Sequence, residues 1–402
     1  MKILAIETSC DETGIALVEG KKTENGFVFT TIKDALLSQA HLHAPYGGVY
    51  PNLAKREHEK NLPVLYEQFK NDEFDAIAVT HGPGLEPALW QGIEFAKKIA
   101  KERNLPLFGV NHMESHLISS LAQTQGQTLN QDSQGLTFEL KNVKLPALAL
   151  LVSGGHTEFV LMREWFNYEV IGQTLDDAVG ECFDKVARML KLPYPGGPEI
   201  SKLADEARNA ARKTAGSGYG DFAAAKSPEV ASSSLGEPTP PAVSSPLRLP
   251  RPMLQSGTCD VSFSGLKTAA LYMLREHAKG TPSKAKESPL TEEEKAAFAA
   301  EFEDAVADVF VSKTKRALNE TGAQTFVIGG GVAANRYLRE RLQQLVLENY
   351  PDVEFRLPEL AITGDNAVMI AQCALTHLLS GDWSLLRLDL DIRAIGNLSI
   401  AG

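Results

Sequence analysis

One order of elements occurs twice in this chain, and it limits the possible folds more than any other feature. Ile3–Ile6 and Ile15–Val18 read as strands around the polar turn 8–14, followed by a strand near Phe27–Ile32 and a helix from Pro51 to about Phe69. The buried strand Ala76–Val79 then enters the turn Thr80-His81-Gly82-Pro83-Gly84, followed by a helix to about Arg103 and the strand Leu107–Val110. The program returns with strands at Ala147–Val152 and Glu158–Met162 around Ser153-Gly154-Gly155-His156-Thr157, a strand near Tyr168–Ile171 and a helix from about Asp177 to Leu190. It closes with Phe326–Ile328, the turn Gly329–Gly331, a helix through Asn335 to about Leu345, a strand near Val353–Phe355 and a helix from about Asp365 to Leu379. Strands alternating with helices predict mostly parallel sheets covered by helices. Two copies predict two α/β lobes, with the turns at the strand ends pointing into the cleft between them.

The expected lobes are residues 1–121 and 146–402, joined by an insertion or linker at 122–145, with the C-terminal segment packing back on the first lobe. A flexible insertion is expected at about 210–257, because seven of the chain's 21 prolines fall between Ser227 and Pro252 among Ser, Ala and Gly. Shorter excursions are expected near Gln123–Gly135 and Lys279–Pro289. With 40 Lys+Arg against 51 Asp+Glu, the net charge of −11 argues against a sequence-independent nucleic-acid coat, which needs clustered cations. A local basic groove stays open. Cys10, Cys182, Cys259 and Cys373 are far apart and form no C-x-x-C pair, so reduced thiols are expected. The apolar run Ile3–Ile6 ends at Glu7, too short for a signal peptide, and no run approaches the ~20 residues of a membrane span. A soluble cytoplasmic protein is the expectation.

His112 and His116 in Asn111-His112-Met113-Glu114-Ser115-His116 are spaced i, i+4, which puts both imidazoles on one helical face. Zinc peptidases use H-E-x-x-H, whereas Glu114 here is turned away from the metal-facing edge. Two unrelated histidines at a helix start would look the same. The matching helix of the second lobe begins Thr363-Gly364-Asp365-Asn366, and Asp365 would complete a two-His, one-carboxylate set suited to catalytic Fe, Zn or Mn. Asp365 could equally be a helix N-cap. The turns Ser153–His156, Pro195–Pro198 and Gly329–Gly331 with Asn335 suit a phosphate or nucleotide, since backbone N–H groups come close where no side chain intervenes. No Walker motif is present. Asp11 and Glu12 are candidate acid/base groups or ordinary turn residues. Asp176, Asp177, Glu181 and Asp184 crowd the start of one helix, where the macrodipole favours acids anyway. Arg248-Leu249-Pro250-Arg251-Pro252 reads as a basic linker or a phosphate contact.

Taken together, the motifs resemble one family. Ile6–Gly14 (I-E-T-S-C-D-E-T-G), Tyr46–Val49 (Y-G-G-V), Gly82–Leu85 (G-P-G-L), His112–His116 (H-M-E-x-H), Leu151–Thr157 (L-V-S-G-G-H-T) and Phe183–Lys185 (F-D-K) are similar to those of the TsaD family. So are Tyr194–Pro198 (Y-P-G-G-P), Phe263–Thr268 (F-S-G-L-K-T), Gly330–Arg336 (G-G-V-A-A-N-R) and Asp365-Asn366. The resemblance implies an actin-like, sugar-kinase-like two-lobed fold. It implies an acyltransferase that moves the threonylcarbamoyl group from threonylcarbamoyl-AMP to N6 of the adenosine beside the anticodon of ANN-decoding tRNAs, releasing AMP. By motif match, His112, His116 and Asp365 would hold one divalent metal, Fe2+ or Zn2+. Leu151, Val152, Ser153, Gly154, Gly155, His156, Asp184, Gly197 and Asn335 would bind the adenylate, with Asp11 and Glu12 near the reacting centre. A TsaB-type paralogue and a TsaE-type ATPase are the implied partners. Departures from the pattern are Ser115 in place of Gly, Gly364 lengthening C-T-D-N, and Glu86-Pro87 in place of a small apolar pair. An actin-like ATPase or kinase would share the fold but not need the His pair, a metal-dependent peptidase would need a differently placed Glu, and a binding scaffold would explain the lobes alone.

Overall fold

The computed structural model describes residues 1–124, 135–214, 248–280, 290–387 and 390–401. The first lobe is built from β1 (Lys2–Glu7), β2 (Glu12–Thr23), β3 (Gly26–Ser38), the short α1 (Ala40–His43), α2 (Pro51–Tyr66), β4 (Ala76–Gly82), α3 (Glu86–Arg103), β5 (Leu107–Asn111) and α4 (His112–Leu121). Two further strands, β6 (Gln123–Thr124) and β7 (Thr137–Lys141), follow. The second lobe comprises β8 (Ala147–Val152), β9 (Thr157–Glu164), β10 (Asn167–Gln173), α5 (Val179–Met189), α6 (Gly196–Thr214), α7 (Ser264–Gly280) and α8 (Glu292–Thr321). It ends with β11 (Thr325–Gly329), α9 (Arg336–Asn349), β12 (Glu354–Arg356) and α10 (Ala367–Ser380).

The sheets run β5-β4-β1-β2-β3-β7-β6 and β10-β9-β8-β11-β12, so the second repeats the first five strands of the first in the same neighbour relations. In each, two strands pair in parallel with the central one and its neighbour (β1–β4–β5, β8–β11–β12), and two pair antiparallel on the other side. This is the duplicated, actin-like plan. Residues 122–145 are not merely a linker: Thr137–Lys141 alternates in burial and pairs with β3 through Phe29↔Phe138, extending the first sheet. The central part of that stretch, 125–134, lies outside the described residues, as do 215–247 and 281–289, where the Pro/Ser-rich insertion and the third excursion were expected. Helices α6, α7 and α8 border these stretches and interrupt the repeated order.

The largest departure from the expected plan concerns the last helix of each repeat. α10, which follows the second sheet in sequence, lies against β2 and β1 of the first, whereas α4, which follows the first sheet, lies against β11 and β8 of the second. The two helices also touch each other, so one apolar core joins both inner sheet faces through Ile3, Ala5, Met113, Leu117, Met369 and Val327. Small residues admit the crossing: where Gly20 lies, a Cβ would come within 2.8 Å of Leu375. Each Leu, Ile or Met buried here contributes roughly 1.5–3 kcal/mol. On the outer faces, α2 and α3 cover the first sheet, and α5 to α9 cover the second. Sheet strands covered on both sides read as continuous apolar runs, as β1 and β8 do. Across the ends of β4 and β5, Ile395 N–H donates to His81 O (2.9 Å), Gly84 N–H to Gly396 O (3.1 Å) and Arg387 N–H to Leu107 O (2.9 Å). Among the described residues, no helix is long and apolar enough to cross a membrane.

Candidate functional site

The carboxyl ends of the parallel strands of both sheets converge where α4 and α10 begin, the usual place for a ligand in such sheets. Asn111 caps α4, its Oδ1 accepting the N–H groups of Met113 (2.9 Å) and Glu114 (3.2 Å). That fixes the first turn, so His112 and His116 project from one face with ring centroids 4.7 Å apart and planes at 87°. From the other lobe, Asp365 Oδ1 comes 3.3 Å from His112 Nε2 and 3.1 Å from His116 Nε2. The cap of α10 is Asn366, which accepts Met369 N–H (2.9 Å), leaving the Asp365 carboxylate free to reach the histidines. Neither family departure displaces these groups. Ser115 donates to Asn111 O (2.9 Å), and the extra Gly364 is held by Asn366 Nδ2 donating to its carbonyl (2.7 Å). Glu86-Pro87 simply opens α3, where proline is tolerated.

Behind His112 stands a carboxylate that sequence reading missed. Glu7, fully buried at the end of β1, lies 3.3 Å from His112 Nδ1, accepts Ser9 N–H and receives the Thr80 hydroxyl; Ser9 Oγ is 3.2 Å from the same Nδ1. An acid closing an apolar strand run was the available signal. Burial opposes charge on His112, yet Asp365 and Glu7 outweigh it and hold the imidazole up to about 10. Burial would raise both carboxyls, but the His112 cation between them holds each below the usual range. His116 is lowered by burial, against the pull of Asp365. With both carboxylates ionised, His112 protonated and His116 neutral, the buried nest sums to −1, and a divalent cation can take the place of the His112 proton. Two His nitrogens and one carboxylate oxygen, all within 4.8 Å of one another, fit such an ion and leave coordination positions for substrate.

The Cys10–Glu12 turn borders this nest, for the Asp365 charge acts on both Cys10 and Glu12. Gln39 N–H donates to Asp11 O (2.9 Å), His58 Nε2 lies 3.0 Å from Cys10 O, and Thr13 Oγ1 is 2.8 Å from His58 Nδ1. Those contacts pin the turn to α2 and leave Asp11 only 7% exposed. Burial, then the charges of Asp11 and Asp365, push the Glu12 carboxyl well above its usual range. That environment favours the protonated form of Glu12. Burial and Asp11 likewise raise the Cys10 thiol, which stays neutral.

The glycine turns meet around the start of α5. Ser153 O accepts Gly180 N–H (3.2 Å), Asp184 Oδ1 accepts Gly196 N–H (2.7 Å), and Gly330, at φ +87°, packs on Val152 O. A Cβ added at Gly154, Gly155, Gly197 or Gly331 would meet no atom within 4 Å, so the fold itself does not call for glycine there. Open backbone of that kind suits an anionic ligand. His156 donates its N–H to Ser153 Oγ (3.0 Å), and burial with the His112 cation pushes its imidazole down to about 4. Leu151 and Val152 bury their side chains in the core and can offer only main chain. The Asn335 amide is engaged within the protein, accepting Leu338 N–H (2.8 Å) and donating to Ser201 Oγ (2.9 Å) and Glu303 Oε1 (2.6 Å). Of the acids near α5, only Asp184 faces the glycine turns. Asp176 accepts Phe263 N–H (2.8 Å), and Asp177 pairs with Lys185 (3.0 Å) and Lys267. Arg251 clamps onto Asp308 (3.0 Å) and Glu301 of α8 rather than facing the cleft turns. Glu114 points away from His112 and His116, as the spacing predicts, so the peptidase arrangement is absent among the described residues.

A family model described as "TsaD: tRNA N6-adenosine threonylcarbamoyltransferase" matches residues 30–227 and 221–372. A tRNA N6-adenosine threonylcarbamoyltransferase of Polynucleobacter necessarius is 39% identical over 392 residues, covering 94% of this chain and 93% of that protein. Another, of Burkholderia pseudomallei, is 40% identical over 381 residues, covering 92% and 90%. Among solved structures, full-length HypF in a phosphate- and nucleotide-bound form covers 95% of this chain and 47% of its own at 13% identity, with a TM-score of 0.48.

Proposed function

Since the chain belongs to the TsaD family of tRNA N6-adenosine threonylcarbamoyltransferases, and so is an acyl-transferring enzyme of tRNA modification, we propose that the inter-lobe site transfers threonylcarbamoyl from threonylcarbamoyl-AMP to an adenosine N6 beside the anticodon of ANN-decoding tRNAs. The observation that carries this reading is the meeting of His112 and His116 from one helix with Asp365 from the other, beside an acidic turn and open glycine loops. His112, His116 and Asp365 would hold one divalent ion, Fe2+ or Zn2+. Bound there, such an ion supplies Lewis acidity toward a carbonyl or phosphate oxygen.

The donor is a mixed anhydride, so activation is already built in and the protein's task is placement. Main-chain groups of Leu151–Gly155, with His156 and Gly197, receive the adenylate at the start of α5; Asp184 fixes the neighbouring turn through Gly196 N–H. Asn335 supports the same floor through Ser201 and Glu303. The adenosine N6 lone pair attacks the carbamoyl carbon, a C–N bond forms, and the C–O bond to phosphate breaks with its electron pair leaving on AMP. The N6 proton passes to the Asp11 carboxylate, while Glu12, which keeps its own proton, can donate a hydrogen bond. The reading carries a TsaB-type paralogue and a TsaE-type ATPase as partners, and a cytoplasmic location, with the family resemblance as support. Its test combines the purified protein with those partners, unmodified tRNA, threonine, bicarbonate and ATP, followed by nucleoside mass spectrometry. Threonylcarbamoyladenosine is expected, and its absence with functional partners would overturn the reading.

A further inference from the structure

Glu114 is the one charged residue of the H-M-E-x-H run that does not meet Asp365 or Glu7. Two residues beyond His112, it is about 200° around α4 from both histidines, on the far side of the helix from Asp365. There its Oε1 accepts the Tyr168 hydroxyl (2.7 Å) and His377 Nε2–H (2.8 Å). The other ring nitrogen of His377, Nδ1, is 2.6 Å from Asp382 Oδ2, so with a carboxylate at each nitrogen both carry hydrogen. Phe166 stacks on that imidazole at 3.8 Å, and Cys373, one turn earlier on α10, completes the buried nest. Glu114 is 5% exposed and His377 3%.

Glu114 belongs to α4 and His377 to α10, the same two elements whose starts deliver His116 and Asp365 to each other. Apolar packing between helices resists separation but tolerates sliding and rotation, whereas a buried hydrogen-bonded pair has one register. We propose that Glu114 is a positioning residue for the His112–His116–Asp365 site, its bond to His377 locking α4 against α10 in the register that brings both histidines to Asp365. The nest closes on itself through short Glu114–His377 and His377–Asp382 bonds, which is the behaviour of a tie. The inference rests on the metal reading proposed above.

Zn2+ affinity, read by competition with a chromophoric chelator on the full chain, tests both separately. His116→Ala should abolish tight binding; if it does not, the metal reading fails. With that established, Glu114→Ala and His377→Ala should each weaken Zn2+ binding about 10–100-fold, the usual effect of losing an outer partner of a ligand set. The double variant should be no weaker than the weaker single variant, because one bond is lost in all three. Glu114→Gln, which keeps an acceptor for His377, should recover most of the affinity, and it reads the tie should Glu114→Ala not fold. Leu342→Ala, in the remote core of the second lobe, controls for stability and should leave Zn2+ affinity unchanged. Wild-type affinity in Glu114→Ala overturns the proposal. So does a fall from two bound Zn2+ in the wild type to one in that variant, which would make the nest a metal site itself.

Discussion

Gly180→Ala offers a test of the nucleotide loop that the folded chain itself calibrates. Gly180 lies in the first turn of α5, and a Cβ there would sit 2.6 Å from Ser153 O and 2.9 Å from both Ser153 C and Gly154 Cα. Ordinary contact begins near 3.4 Å, so loop and helix must part by 3.4 − 2.6 = 0.8 Å at the oxygen. The loop yields first, because α5 is anchored in the core by Val179, Cys182, Phe183 and Val186. Alanine gains about 1 kcal/mol of helix propensity over glycine, and overpacking costs about 1–3 kcal/mol. The net loss is then at most about 2 kcal/mol. A displacement near 1 Å should cost far more in function than in stability, about 100-fold in transfer rate. Losing one or two charge-assisted N–H contacts should weaken AMP binding about 10–100-fold. AMP affinity by isothermal titration, set beside thermal unfolding, gives both numbers. Gly197→Ala is the complement: its Cβ meets nothing in the protein, so stability should hold while AMP affinity falls. Should Gly180→Ala bind AMP within about twofold of wild type while its melting point drops, the loop at Ser153–Gly155 does not contact the nucleotide.

Three further outcomes follow from the same site. Asp11→Asn should slow transfer about 10²–10⁴-fold in single turnover with AMP affinity unchanged; a near-normal rate would move the proton acceptor to Glu12 or to the substrate. Asp365→Asn should weaken Zn2+ binding by more than the roughly 10–100-fold that an outer partner is worth, and calorimetry showing full-affinity binding would remove Asp365 from the ligand set. His81, buried beneath the C-terminal residues, is pushed down to about 4 by burial and by the Arg387 cation. The unfolded chain takes up that proton near 6.5, so the contribution is complete above pH 6.5 and is lost as pH falls toward 4, on the order of 2–3 kcal/mol. Urea midpoints at pH 7 and 4.5 should differ less in His81→Asn than in wild type, and an equal difference in both would exclude His81 as a source of acid sensitivity.

The duplicated order was legible because strands buried on both faces read as apolar runs, and because the turns between them carry glycine or paired polar residues. The His112–His116–Asp365 cluster was half legible. Spacing put His112 and His116 on one face, but only the resemblance and the repeat brought Asp365 to them, and Glu7 stayed hidden as an acid at a strand end. Asn335, assigned to the adenylate by motif match, caps α9 through Leu338 N–H and bonds Ser201 and Glu303, contacts that its place in the motif did not signal. Helices α6, α7 and α8 escaped because they fall around the Pro-rich stretch, where no repeated order could guide the reading.

The exchange of α4 and α10 between the lobes had a signal that periodicity does not register. A helix with one apolar stripe covers one sheet, but α10 reads A-V-M-I-A-Q-C-A-L-T-H-L-L-S, apolar on every side, and 12 of its 14 residues are buried. All ten residues of α4 are buried too, although six of the ten in H-M-E-S-H-L-I-S-S-L are polar or charged. Helices of that kind must lie between two layers, so they belong to neither lobe alone. Polar groups inside them cannot face solvent, and apart from the Ser119 hydroxyl and the Gln372 amide they are paired within the protein. Ser115 and Ser120 bond back to carbonyls of their own chain, at Asn111 and His116. The remaining charged or titratable groups are His112 and His116, which meet Asp365, and Glu114, which meets His377. Every one of them joins α4 to α10 or to the residue that leads into it. The candidate site and the attachment of one lobe to the other therefore share the same two helices, and a shift of α4 against α10 moves His112 and His116 relative to Asp365.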